Sequence, residues 1–239
     1  MNDAIPDALN AVRARIRSAA AASGRAENDV QLLAVSKTKP AAAVRAAYQQ
    51  GQRGFGESYL QEALAKQAEL AELDIEWHFI GPIQSNKTRE IAAHFSWVHG
   101  VDRLKIAQRL SAQRPAELPP LNVLVQVNIS AEASKSGVAV DDAEALAHQV
   151  AAMPRLRLRG LMAVPARSEN PQQQREPFRA LRELKERLLR SGLELDTLSM
   201  GMTDDLEVAI AEGATIVRIG TAIFGSRNPA AMQKSTRPE

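Results

Sequence analysis

Eight times between residues 31 and 225 a short, β-branched apolar run is followed by a stretch with helical periodicity, and few folds accommodate that alternation. The runs are "QLLAVSK" (31–37), "RGFGE" (53–57), "EWHFIG" (76–81), "WVHGV" (97–101), "NVLVQVNI" (122–129), "LRLRGLMAV" (156–164), "DTLSMG" (196–201) and "TIVRIGTAIFG" (215–225). Among the intervening helices the clearest is 174–190, with Phe178, Leu181, Leu184 and Leu188 at helical spacing. Eight strand-then-helix units with no long linker predict an α/β protein, a single (β/α)8 TIM barrel; a doubly wound open sheet is the alternative. Ile5, Leu9, Val12 and Ile16, flanked by Arg13, Arg15 and Arg17, add a helix before the first strand. The expected layout is one barrel domain over 1–239, with the extra N-terminal helix in 1–24 and a polar tail, 226–239, that frays. "RPAELPP" (114–120) and "RSENPQQQREP" (167–177) read as surface loops, because clustered Pro and polar residues continue neither periodicity.

With only 4% aromatic residues the core has to be aliphatic. Thirty Lys and Arg against 28 Asp and Glu leave a net charge of +2, too balanced for nucleic acid or an anionic membrane to be the main partner. The absence of cysteine excludes disulfides and thiolate metal sites. The opening "MNDAIPDALN" is acidic where a signal peptide is basic, and no apolar run approaches the ~20 residues of a membrane span. A cytoplasmic protein is expected.

Functional groups of such a barrel gather at the carboxyl ends of its strands. There the first run delivers Lys37, the second Glu57 and Ser58, the third Gly81, the fifth Asn128, the seventh "SMG" (Ser199, Met200, Gly201) and the eighth "RIGT" (Arg218 to Thr221). Alternation puts Leu33, Val35 and Lys37 on one face, Leu124, Gln126 and Asn128 on another inward face, and Ile216, Arg218 and Gly220 on a third. Val123, Val125, Val127, Val217 and Ile219 are left for the helix layer. Closure of the barrel makes the first and last strands neighbours, so Lys37 and Arg218 share a confined space. Arginine does not deprotonate, so the lysine is the group to become neutral, and a neutral lysine forms imines with carbonyl compounds. The competing reading is a lysine that snorkels to the rim. Ser199, Gly201, Gly220 and Thr221 supply the small residues and hydroxyls of a phosphate site after strands seven and eight. A phosphorylated aldehyde is implied, pyridoxal 5′-phosphate (PLP) best of all; a sugar-phosphate aldolase would use the same parts.

Other residues carry weaker signals. His78, His94, His99 and His148 lack metal-ligand spacing; His78, near a strand end, is either a ligand contact or a hydrogen-bonded core histidine. Trp77 and Phe79 read as packing between strand and helix. Thr203 is expected to cap a helix begun by "TDDLE" (203–207), and the arginines of "RLRLRG" (155–160) to be solvated strand flanks. Lys135 of "SKSG" lies in the loop after the fifth strand.

"LLAVSKTKP", "FGESYLQEA", "WHFIGPIQSNK", "VLVQVNISAEASKSGV", "GLMAVPA" and "LSMGMTDDLEVAIAEGATIVRIGTAIFG" together resemble the pyridoxal phosphate homeostasis protein family over nearly the whole chain. The resemblance implies a barrel like the N-terminal domain of alanine racemase, with PLP held as an internal aldimine on Lys37. It implies a phosphate cradle of Ser199, Gly201, Gly220 and Thr221, with Met200 between them, an Arg218 facing the pyridine nitrogen, and a Lys135 serving as secondary acceptor of the cofactor. The family reads "FGENY" where this chain has "FGESY", so Ser58 replaces an amide by a shorter hydroxyl. The implied role is sequestration of PLP and its delivery to apo-enzymes as transient recipients, without robust turnover. No second domain of the kind that racemases of this fold use is expected, and with no broad apolar helix face left over a monomer is expected. The alternatives are a low-activity amino-acid racemase and a binding module without cofactor.

Overall fold

The computed structural model of the chain describes residues 4–226 except 131, 133, 134, 167 and 169; the expected tail, beyond Ser226, lies outside the described residues. The eight expected strands are present as β1 (Gln31–Val35), β2 (Gly54–Glu57), β3 (Glu76–Phe79), β4 (Trp97–Val101), β5 (Leu121–Gln126), β6 (Leu156–Met162), β7 (Thr197–Ser199) and β8 (Ile216–Ile219). Each pairs with the next in parallel, and β8 pairs back onto β1 with Leu33 opposite Arg218. The sheet is therefore a closed (β/α)8 barrel, and the open-sheet alternative is excluded. Around it run α2 (Ala41–Gln49), α3 (Leu60–Glu69), α4 (Thr88–His94), α5 (Leu104–Gln113), α6 (Val140–Ala151), α7 (Pro171–Arg190), α8 (Leu206–Ala211) and α9 (Thr221–Phe224). The preceding helix, α1 (Ile5–Ala22), buries Ile5, Leu9, Val12 and Ile16 and packs on α8 and α9. Among the described residues no helix is long and apolar enough to cross a membrane.

The main core lies between strands and helices, and Val123, Val125, Val127, Val217 and Ile219 belong to it as alternation requires. Trp77 and Phe79 do too, packed against Phe55 and Phe95. Inside the barrel Trp97, Leu124 and Met162 form a separate cluster.

The expected boundaries change where local chemistry competes with periodicity. Most strands stop two or three residues early, and the residues past their ends enter the loops of the mouth. "TAIF" closes as α9 instead of extending β8. The second half of the expected 167–177 loop is helix: Asn170 accepts from the N–H of Gln172 and Gln173, and Pro171 occupies the first turn. Pro177 removes a backbone donor at a cost of about 3 kcal/mol. Burial of Phe178, Leu181, Leu184 and Leu188, about 1.5–3 kcal/mol each, outweighs it. Thr203 does not cap α8; Asp205 precedes that helix and its carboxylate accepts from Met202 N–H.

In β6 the partner of Val123 is Leu158 and that of Leu124 is Gly160, so Arg159 is the extra residue of a bulge. The bulge lets Leu158 and Leu161, three apart, both face the helices while Met162 faces inward. Arg159 is half-buried there: its guanidinium lies 4.7 Å from the Trp97 ring centre and forks onto Asp196. Gly160 is required there, since a Cβ would stand 1.8 Å from the Thr197 carbonyl oxygen. Gly160→Ala is expected to destabilise the barrel by about 3 kcal/mol or more, read as a lower denaturant midpoint with an unchanged far-UV spectrum before unfolding.

Candidate functional site

Lys37 stands two residues beyond the end of β1, half-buried, in a turn over residues 36–39. The turn is constrained at every residue around it. Ser36 Oγ donates to Glu57 Oε1 at 2.6 Å, and the Ser36 carbonyl accepts from Lys66 Nζ at 2.7 Å. Thr38 N–H donates to Glu62 Oε1 at 2.6 Å. Lys39 Nζ donates to the carbonyls of Phe224, Gly225 and Ser226. Thr38 has φ +65°, a conformation that a β-branched residue adopts only when its surroundings impose it. Those fastenings are the imposing surroundings.

Lys66 is the hub. It is 5% exposed and its ammonium reaches Glu57 at 2.8 Å and Glu62 at 2.6 Å. Burial pushes the Glu57 carboxyl up, against the pull of Lys66 and Ser36. Neither Lys66 nor Glu62 was singled out from the sequence. A signal existed, because Leu60, Ala63 and Lys66 recur at a spacing of three and place a lysine on the buried face of α3.

On the other side of the β1–β8 seam, Arg218 is buried and burial lowers its pKa to about 10. Its guanidinium donates to the Ser199 carbonyl, to Ser199 Oγ at 2.7 Å and to the Ala163 carbonyl at 2.8 Å. Ser199 Oγ lies 2.9 Å from His99 Nδ1, His99 Nε2 lies 3.0 Å from His78 Nδ1, and His78 Nε2 lies 3.1 Å from Glu76 Oε2. Of the two readings the sequence left for His78, the structure shows a hydrogen-bonded core histidine, within the barrel and stacked on Trp97. His99 joins it there, although the sequence analysis gave it no role; both histidines occupy inward positions of adjacent strands. Burial pushes both imidazoles down, His99 well below the usual range with His78 and Arg218 adding to the effect.

The remaining predicted residues divide by place. Met200 points its side chain into the main core and spends its N–H on the Ile216 carbonyl, so it has no donor to offer a ligand. Gly201 has φ +94° and a Cβ would meet Ala209 at 2.6 Å, so the close seat of α8 already demands glycine there. Gly220 abuts β1, with a Cβ only 3.2 Å from the Val35 carbonyl oxygen, and Thr221 opens α9 exposed to solvent. The ends of β8 and β1 are therefore in contact beside the Lys37 turn. Ser58 is half-buried, its backbone under Gly81. Lys135 pairs with Glu132 at 2.9 Å, and Asn128 Nδ2 donates to the carbonyls of both residues. Three buried oxygens among the described residues find no hydrogen-bond partner: Thr38 Oγ1, Glu57 Oε2 and Asn128 Oδ1. They belong to the loop after β1, to the end of β2 and to the segment after β5. Buried polar atoms of this kind call for a ligand or water.

Residues 8–228 match the profile of the family described as alanine racemase, N-terminal domain. The pyridoxal phosphate homeostasis protein of Pseudomonas aeruginosa is 66% identical over 224 residues, 94% of this chain and 96% of that protein. Its Escherichia coli K12 counterpart is 54% identical over 231 residues, 95% and 98% of the two chains. The structure of PipY from Synechococcus elongatus with PLP bound superposes with a TM-score of 0.81 at 36% identity, covering 92% of this chain and 100% of that one.

Two outcomes follow from the buried groups. Lys66→Met leaves Glu57 without its counter-ion and is expected to cost about 3–5 kcal/mol, most of it recovered in Lys66→Met/Glu57→Gln; urea unfolding of the two variants measures the difference. His78 and His99 have folded pKa values below the ordinary 6.5, so below pH 6.5 the unfolded chain takes up protons that the folded chain refuses. Stability is present above that pH and falls as pH drops through it, by up to about 1.4 kcal/mol per histidine per pH unit. Urea midpoints at pH 7.5 and 5.5 read the loss, while the two buried imidazole C–H resonances stay flat.

Proposed function

The chain belongs to the alanine racemase N-terminal domain family and, within it, to the pyridoxal phosphate homeostasis proteins, and from that membership we propose that it binds PLP at the C-terminal mouth of its barrel and keeps it for delivery. Lys37 joins its amine nitrogen to the aldehyde carbon in a C=N bond, the aldehyde oxygen leaving as water. The bound cofactor supplies a reactive carbonyl and an electron-accepting ring. The observation that carries the reading is the Lys37 turn itself, a left-handed Thr38 with two buried fastenings and one half-buried one that hold one lysine beside the β1–β8 seam. A surface lysine needs no such support.

The other residues fit this group. Gly220 and Thr221, at the start of α9, and Gly201 bring backbone N–H groups and a hydroxyl to the place where a phosphate is bound in barrels of this type. Arg218 offers only donors, so a ring nitrogen facing it stays unprotonated and the ring is a weak electron sink. Thr38 Oγ1 and Asn128 Oδ1 have hydrogen-bonding capacity left over. Ser199 serves this reading through Arg218, because its hydroxyl is already engaged there. Retention without turnover follows from a weak sink, and Lys135, half-buried after β5, is a second amine that would take the aldehyde carbon by exchange, its nitrogen replacing that of Lys37, which leaves as the free amine, before transfer to apo-enzymes in the cytoplasm.

Incubation with PLP is expected to give a yellow protein, and borohydride reduction to place the adduct on Lys37 by mass spectrometry. Lys37→Ala is expected to lose the reduced adduct while phosphate contacts retain part of the cofactor. A protein that stays colourless, or an adduct confined to surface lysines, would overturn the proposal. Solvent deuterium appearing at Cα of an added amino acid would instead identify a racemase.

A further inference from the structure

Four hydrogen bonds connect Glu76, at the start of β3, to Arg218 on β8, through His78, His99 and Ser199. The two ends of this chain settle the direction of every bond within it. Glu76 receives Trp97 Nε1–H at 2.9 Å and Gln31 Nε2–H at 3.3 Å as well as facing His78. The indole can only donate, and these hydrogen bonds, that from His78 first, hold the carboxyl down to about 2, so the bottom of the chain is an acceptor. Arg218 at the other end is a donor without acceptor capacity. Between them each neutral imidazole carries one donor and one acceptor, and the Ser199 hydroxyl one donor and two lone pairs.

The protons then have one consistent arrangement. His78 donates from Nε2 to Glu76 and accepts at Nδ1. His99 donates from Nε2 to His78 and accepts at Nδ1. Ser199 donates its hydroxyl proton to His99 and accepts from Arg218 Nη1. The reverse arrangement would set the lone pair of His78 Nε2 against the Glu76 carboxylate. It would also turn the Ser199 proton away from its imidazole acceptor. The charged groups facing the two imidazoles are Glu76 from β3 and Arg218 from β8; the ion pair of Arg159 on β6 with Asp196 lies at the lower rim beside Trp97.

We infer that Glu76, His78 and His99 are positioning residues that lock the Ser199 hydroxyl as an acceptor for Arg218 and so fix the guanidinium that faces the ligand. That Arg218 faces PLP rests on the function proposed above; the direction of the relay does not. Glu76 acts from the opposite end of the barrel, beside a cavity of about 420 Å³ lined by Gln31, Trp97, Arg159 and Asp196, without touching the ligand. Loss of the relay frees the Ser199 proton to turn toward Arg218, donor against donor, and removes one of the three bonds that hold the guanidinium.

The test uses the ligand-free protein first. Nitrogen-15 spectra at pH 7 are expected to show His78 and His99 both as neutral Nε2–H tautomers, and Glu76→Gln to mix the tautomers. His99→Leu is expected to speed hydrogen exchange at the Arg218 guanidinium about tenfold, the worth of one such bond. His99→Gln, which keeps a donor and an acceptor, should restore slow exchange. Glu76→Gln at the half-exposed rim carries the same exchange measurement should His99→Leu not fold. An Nδ1–H tautomer of His99, a charged imidazole, or exchange unchanged in both broken variants would overturn the inference. With PLP added, weaker retention by His99→Leu than by His99→Gln extends the result to the ligand. If the tautomers and exchange rates are as stated but wild-type protein takes up no PLP, the relay stands and the PLP reading fails.

Discussion

The hydrogen bonds between β1 and β8 are the contact on which the site depends. They join residues 31–34 to residues 216–219, and without them Lys37 and Gly220 would belong to opposite ends of the chain. Closure costs loop entropy that grows only slowly with length. It returns a sheet with no free edge, and a mouth where loops from distant parts of the chain converge. The turn that carries Lys37 is fastened from both directions, by Glu57, Glu62 and Lys66 on the β2–α3 side and by the C-terminal end of α9 on the β8 side. The first set comes with the β1–β2 pairing, and the second exists only once the barrel closes.

The barrel interior is unusual in being filled by a polar chain beside its small apolar cluster. Such chains are acceptable only when every member is satisfied, because an unpaired polar group in a low-dielectric interior costs as much as several good contacts supply. From Glu76 to Arg218 each member meets that condition. At the mouth the condition lapses: Thr38, Glu57 and Asn128 each hold a buried oxygen with no hydrogen-bond partner. On the proposed reading, a ligand at the mouth would supply those hydrogen bonds.

The residues legible in the sequence were those whose types conflict with their local pattern. Lys37 ends an apolar run, Arg218 interrupts one, and glycines stand where strands finish. Alternation also sent Leu124 and Gln126 inward and left Val123, Val125 and Val217 to the helices. Less legible were the residues whose role needs a partner far along the chain. Lys66 looks like one more polar residue of an amphipathic helix until Glu57 and the Ser36 carbonyl are seen beneath it. Ser199 and Met200 were read with the phosphate loop because they adjoin Gly201, yet the hydroxyl of one is held by Arg218 and His99, and the side chain of the other is core. His99 was passed over because a histidine in a strand announces no function without its neighbours, Ser199 a hundred residues away among them.

Local chemistry by itself determined the element order, the inward and outward faces of most strands and the count of eight, since periodicity and residue type act over a few neighbours. Tertiary structure decided which polar residues touch, where β6 gains its extra residue, and which way the hydrogen bonds beneath Arg218 point. Those depend on register and closure, which bring side chains from separate strands within about 3 Å of each other, and no window of sequence contains that distance.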